Sequence, residues 1–208
     1  MTRTLIIATI LLTWTFSVFG QSKNVENTLN GIADSEYFVC EEIGWKLEVP
    51  LGWSKLSVED AKSRNTQLVK SIEAEIGTEI GQDENKCQIV LQRDKSNSAK
   101  SSVEKLEIED SSELEIIQDF TKRLLVQVYQ KAGFRIEVSE TRKEIVDGIE
   151  LNQFTIAVYS SDETIKLRQL VYTGYVNGYD YSLVISYTRE EFRDEFLRKF
   201  KVSKFQKQ

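Results

Sequence analysis

Any chemistry in this chain proceeds without an imidazole, because none of its 208 residues is histidine. That excludes every catalytic triad, zinc site or proton shuttle that requires the side chain. No Gly-x-Ser-x-Gly elbow is present either. A Ser-Lys pair is the remaining serine chemistry, and one Ser-x-x-Lys match runs from Ser102 to Lys105. It lies in a Ser/Lys-rich polar segment where such a match arises by composition alone, so no catalytic residue is assigned. Neither Gly-x-x-x-x-Gly-Lys nor Gly-x-Gly-x-x-Gly occurs, so no phosphate cradle and no cofactor is expected.

Carboxylates are abundant between Glu104 and Glu115, where Glu104, Glu107, Glu109, Asp110, Glu113 and Glu115 cluster. Such a stretch suits a cation or a basic partner, and it equally suits a solvated loop leading into a helix whose N-terminus favours acids. The alternation and glycine turn of a calcium loop are missing, so no metal site is expected. Aromatics form the other concentration: Tyr172, Tyr175, Tyr179, Tyr181 and Tyr187, with Trp45 and Trp53 earlier in the chain. These fit half-buried strand packing. Where the last hairpin offers a ligand or partner surface, its mixed face is the candidate: Thr173, Tyr175, Asp180 and Ser182.

Two cysteines, Cys40 and Cys87, complete the reactive inventory. In an oxidising compartment an even pair suggests one disulfide, worth about 4 kcal/mol by loop-closure entropy. Two buried free thiols on neighbouring strands are the alternative. No Cys-x-x-Cys spacing points to redox chemistry.

The compartment follows from the N-terminus. Residues 1–20 pattern as a secretory signal peptide, with Arg3, an apolar run from Leu5, and Val18 and Gly20 before a cut at Gln21. A retained anchor is the alternative, but the run is short and interrupted by Thr9, Thr13, Thr15 and Ser17. The expected product is periplasmic or extracellular, with no stable membrane span. The chain carries 27 basic and 33 acidic residues, a formal net charge of −6, and losing Arg3 makes it more negative. A net acidic chain without basic runs is a poor partner for nucleic acid.

The elements that must position these side chains follow from periodicity. Residues 21–36 are polar and Asn-rich, a flexible leader; a single domain is expected over 37–205. Tyr37–Cys40 and Ile43–Val49 pattern as strands, and the single proline, Pro50, ends the second. Val58, Ala61, Leu68, Ile72 and Ile76 form the apolar stripe of a first helix beginning near Ser57. Lys86–Gln92 reads as a strand, Lys95–Ser102 as a loop, and Val103–Glu109 as a weak strand. Ser112 and Glu115 open a second helix that Gly133 ends. Phe134–Ile145 and Ile149–Tyr159 flank Asp147-Gly148, while Ile165–Val176 and Tyr179–Thr188 flank Asn177-Gly178, two strong hairpin signals. With Val176 facing Tyr179, one face of the last hairpin is apolar (Tyr172, Tyr181, Leu183, Ile185) and the other mixed. Thr188 caps a last helix bearing Phe192, Phe196 and Phe200. The expected class is α+β: an antiparallel sheet with a C-terminal meander and three amphipathic helices packed on it.

Three features carry a resemblance. They are the strand Gly44-Trp45-Lys46-Leu47-Glu48-Val49 followed by Pro50-Leu51-Gly52-Trp53, the helix-then-meander layout, and a Gly178-Tyr179-Asp180-Tyr181 strand running into the Phe-rich helix. Over about 37–205 the chain resembles the superfamily of the photosystem protein PsbP and the Ran-binding Mog proteins. The resemblance implies an α/β/α sandwich and a non-catalytic accessory or binding role, engaging a protein or cell-envelope component. A small-molecule or carbohydrate module using the tyrosine-rich hairpin is the alternative. No functional residue carries over; the histidines that could bind metal in PsbP-like proteins have no counterpart here.

Overall fold

Two Asx-Gly turns organise the sheet. Asp147 and Gly148 have φ of 49° and 82°, Asn177 and Gly178 of 51° and 86°. Paired left-handed residues make the tight turn whose twist matches that of antiparallel strands. The computed structural model describes residues 36–56, 89–106, 111–131, 133–160 and 162–206.

Among these, a small sheet has the order β1-β2-β11, with β1 Tyr37–Cys40, β2 Trp45–Glu48 and β11 Lys204–Phe205. The large sheet has the order β3-β4-β5-β10-β9-β8-β6. Its strands are β3 Ser54–Lys55, β4 Ile89–Asp94, β5 Asn97–Lys105, β6 Arg135–Val138, β8 Ile149–Tyr159, β9 Ile165–Val176 and β10 Tyr179–Tyr187. A further strand, β7 Arg142–Val146, pairs with β8. The helices among the described residues are α1 Ser111–Lys131 and α2 Glu190–Phe200. The fold is thus richer in sheet than expected. Two of the three expected helices are described; the one expected from Ser57 lies outside the described residues, as do the signal segment and most of the leader.

The last hairpin pairs in the expected register, Val176 opposite Tyr179 and Tyr172 opposite Leu183. Its apolar face joins the main core. Tyr172, Tyr181, Leu183 and Ile185 pack there with Trp45 and Leu47 of the small sheet and Phe196 and Phe200 of α2. Trp45 is its hub. The indole meets Phe38, Tyr181 and Phe200 edge-on, stacks on Phe205, and donates from Nε1 to Ser203 Oγ at 2.9 Å. Trp53 of the Pro-x-Gly-Trp turn packs on Phe196. Gly174 is required within this layer, since a Cβ there would sit 2.4 Å from Leu151 Cδ2. The opposite face holds a second core. There Leu125 and Tyr129 of α1 pack on Phe154, Ile156, Val158, Leu167, Val171 and Val184.

Three local expectations are corrected. The segment expected as a loop at Lys95–Ser102 is mostly β5, a central strand between β4 and β10. Its Ser and Lys residues hid the strand because one of its faces is polar although buried. The expected strand Phe134–Ile145 is split at Ser139. There Ser139 and Thr155 exchange bonds, Ser139 N–H to Thr155 O and Thr155 N–H to Ser139 Oγ. The last helix is capped at Arg189 without a side-chain bond; Thr188 is turned to Asn97 instead, its N–H donating to Asn97 Oδ1 at 2.9 Å and its Oγ1 accepting from Asn97 Nδ2 at 3.4 Å. Acids in its first turn and bases in its last suit the helix dipole. α1 ends as expected at Gly133 (φ 81°), with Gly133 N–H bonded to Gln130 O and Phe134 N–H to Tyr129 O.

Candidate functional site

The mixed face of the last hairpin gathers the candidate residues. Antiparallel pairing sets Asp180 opposite Tyr175 and Ser182 opposite Thr173, and all four share one face. β5 extends the same face: Glu104 lies opposite Asp180, Ser102 opposite Ser182, and Lys100 opposite Val184. The strip therefore runs from Lys100 at one end, through Ser102, Ser182 and Thr173, to the paired acids Glu104 and Asp180.

This strip is interior. Lys100, Ser102, Asp180, Ser182 and Thr173 are all buried, while Glu104 and Tyr175 are half-buried at the rim. Hydroxyl pairing satisfies the middle, with Ser102 Oγ and Ser182 Oγ 2.7 Å apart. Tyr175 donates its hydroxyl to Leu106 O at 3.1 Å. Leu106 follows β5, on the far side of β10, so the ring crosses the Asp180 end of β10. Burial, and then the nearby Glu104 carboxylate, push the Asp180 carboxyl up to about 7. Burial pulls the Lys100 amine down to about 7. Further along this face the polar groups close on α1: Tyr129 donates to Gln169 Oε1 at 2.8 Å, and Gln169 Nε2 to Ser186 Oγ at 3.1 Å.

The Ser102-x-x-Lys105 match does not form a pair, because Lys105 falls on the opposite face of β5 and is exposed. The lysine that shares the face of Ser102 is Lys100, which sequence reasoning missed. Its signal was the alternation Ser98, Lys100, Ser102, Glu104 against Ala99, Ser101, Val103. The acidic stretch is divided: Glu104 faces Asp180, Glu113 and Glu115 lie in α1, and Glu107, Glu109 and Asp110 lie outside the described residues. No group of three or more Cys, Asp or Glu residues that could hold a metal ion occurs among the described residues. Of the hairpin tyrosines, Tyr172, Tyr181 and Tyr187 are buried. Cys40 is buried on the inner face of β1, and Cys87 lies outside the described residues.

A second surface lies on the small sheet. β1 is its edge strand among the described residues. Phe38 and Cys40 point inward, whereas Tyr37 and Val39 are 50% and 54% exposed. Lys46 opposes Val39, Lys204 opposes Lys46, and Lys46 Nζ sits 4.3 Å over the Tyr37 ring.

No protein-family model matches the chain, and no curated protein matches it. The architecture, two antiparallel sheets with helices on both sides of the larger one, is a PsbP-like fold. The solution structure of cyanobacterial PsbP (CyanoP) from Synechocystis sp. PCC 6803 is similar with a TM-score of 0.57. The likeness covers 86% of this chain and 98% of that one at 10% identity. Identity at that level establishes the fold alone.

Proposed function

We propose that the chain is an exported, non-enzymatic accessory protein that engages a protein of the cell envelope through the edge and outer face of the small sheet. The observation that carries this reading is the exposed pair Tyr37 and Val39 on β1, a strand whose second edge has no strand partner among the described residues. An extended segment of a partner can add to such an edge, its main chain supplying affinity and the alternate side chains specificity. The PsbP-like fold supports an accessory role, and the signal-like residues 1–20 support export. In that compartment Cys40 and Cys87 form a disulfide. Among the described residues no helix is long and apolar enough to cross a membrane.

A photo-crosslinking residue placed at Val39 tests the reading in cells. Discrete adducts with an envelope protein are expected from position 39 and not from position 145, a still more open site on β7. Equal adducts from both positions, or none from 39, would contradict it.

A second reading is favoured by a separate observation, the buried polar strip of β5, β10 and β9. Burying a lysine, an aspartate and several hydroxyls on one sheet face is costly, and such costs concentrate at functional sites. On this reading the strip receives a small polar molecule.

A further inference from the structure

The edge strand β1 is bordered by positive charge that the described residues leave without a carboxylate. Lys46 Nζ lies 4.3 Å over the Tyr37 ring, on the outer face of the small sheet. Lys55 Nζ lies 5.8 Å from the centre of the Phe38 ring, and Phe38 points the other way, into the core. The two amines therefore flank β1 from opposite faces. Both lysines are exposed, and neither makes an ion pair among the described residues. Nearby lysines are already paired, Lys204 with Asp147 at 2.9 Å and Lys199 with Glu48 at 2.6 Å. Other edges are guarded in the ordinary ways, by self-paired charge or by short length. Arg135 of β6 pairs with Glu137 of the same strand at 2.8 Å, and β3 and β11 have two residues each. β1 has four residues and no charged side chain of its own. Acids stand outside the strand in sequence, Glu36 before it and Glu41 and Glu42 after it.

We propose that the segment received along β1 is an acidic extended peptide whose carboxylates reach Lys46 on the outer face and Lys55 on the inner one. The proposal rests on the edge reading above and names the chemistry of its partner. Main-chain bonds along an edge give affinity whatever the sequence; side chains decide which sequence is taken. Successive side chains of an added strand point to opposite faces. Lysines on opposite faces therefore select acids at adjacent positions, not at every second one. Opposite charges on neighbouring strands stabilise the pairing, and like charges oppose it. A basic segment would meet repulsion on both faces. The chain's net charge of −6 repels an acidic partner at long range, so selection comes from these two contacts and not from electrostatic steering.

The test is fluorescence anisotropy of the purified protein with three labelled strand-forming peptides. They share their Val and Thr positions and carry Glu-Glu, Gln-Gln or Lys-Lys at two adjacent central positions. The Glu-Glu peptide is expected to bind tightest and the Lys-Lys peptide weakest. Lys46→Glu and Lys55→Glu should each weaken the Glu-Glu peptide by up to about fivefold, and the double variant should prefer Lys-Lys. Both side chains are exposed, so the variants should melt with the parent. Lys105→Glu, at an exposed lysine on the end of β5, should change nothing. Equal binding of the three peptides, or a Glu-Glu preference that survives the double variant, would overturn the acidic assignment and leave the edge reading standing. Binding of none of them would contradict both.

Discussion

Burying Asp180 and Lys100 works against the fold, and the cost has opposite pH dependence at the two residues. The Asp180 carboxyl titrates at about 7 in the folded chain, against roughly 4 for an unfolded aspartate. The folded chain therefore holds the proton longer, and stability falls as pH rises from about 4 to about 7. Lys100 behaves inversely: its folded value of about 7 lies below the ordinary value of about 10.4, so stability falls as pH drops across that interval. Asp180→Asn is accordingly expected to stabilise the chain by roughly 1–3 kcal/mol at pH 8, with the gain shrinking toward pH 4. Urea unfolding at pH 4.5, 6 and 8 measures this; a difference independent of pH would contradict it. Lys100→Met should show the mirror trend, a gain at pH 6 that fades above about pH 10. Gly174→Ala acts on packing alone. The new Cβ meets Leu151 Cδ2 in a fully buried layer, and overpacking of that kind costs about 1–3 kcal/mol, read as a lower denaturation midpoint with an unchanged slope.

At the scale of elements, the β9–β10 hairpin organises both sheets. Its turn residue Asn177 donates from Nδ2 to Ile43 O and Gln206 O, each at 3.1 Å, tying the turn to the small sheet. Asn177→Ala loses both bonds and places an alanine at φ 51°, so a loss of about 2 kcal/mol is expected. Hydrogen exchange should then quicken at β11 and β2 more than in β8. The hairpin was legible in the sequence because the Asn-Gly turn fixes register, and register fixes which side chains share a face. That is why Thr173, Tyr175, Asp180 and Ser182 group on one face from the sequence alone. Their burial was not legible, since it depends on what covers the face. β5 was illegible for a related reason. Small and polar residues on both sides of β5, Ser101 among them, leave its alternation faint, and pairing of β5 with β10 is a non-local contact. Lys100 and Glu104 therefore entered the site only through the sheet. The split of β6 from β7 falls where apolar residues stop at Val138 and resume only at Ile145, and there the Ser139–Thr155 exchange breaks the strand.

At the scale of the molecule, a PsbP-like fold carries two separate features: the outer face of β1-β2-β11 and the interior polar strip of β5-β10-β9. The PsbP-like layout was legible from the Pro50-Leu51-Gly52-Trp53 turn and the Phe-rich α2, both of which pack where the layout requires, Trp53 on Phe196 and Phe200 on Trp45. If Cys40 and Cys87 are joined, reductant should lower stability by about 4 kcal/mol, and Cys40→Ser should abolish the sensitivity; a reductant-insensitive melt would show two thiols instead. The central claim concerns β1. Hydrogen exchange across residues 37–40, with and without the envelope protein captured from position 39, tests it most directly. The account predicts slowed exchange at Tyr37–Cys40 in the complex and unchanged exchange at residues 162–165. Unchanged exchange along β1, or protection confined to other strands, would contradict engagement through this edge.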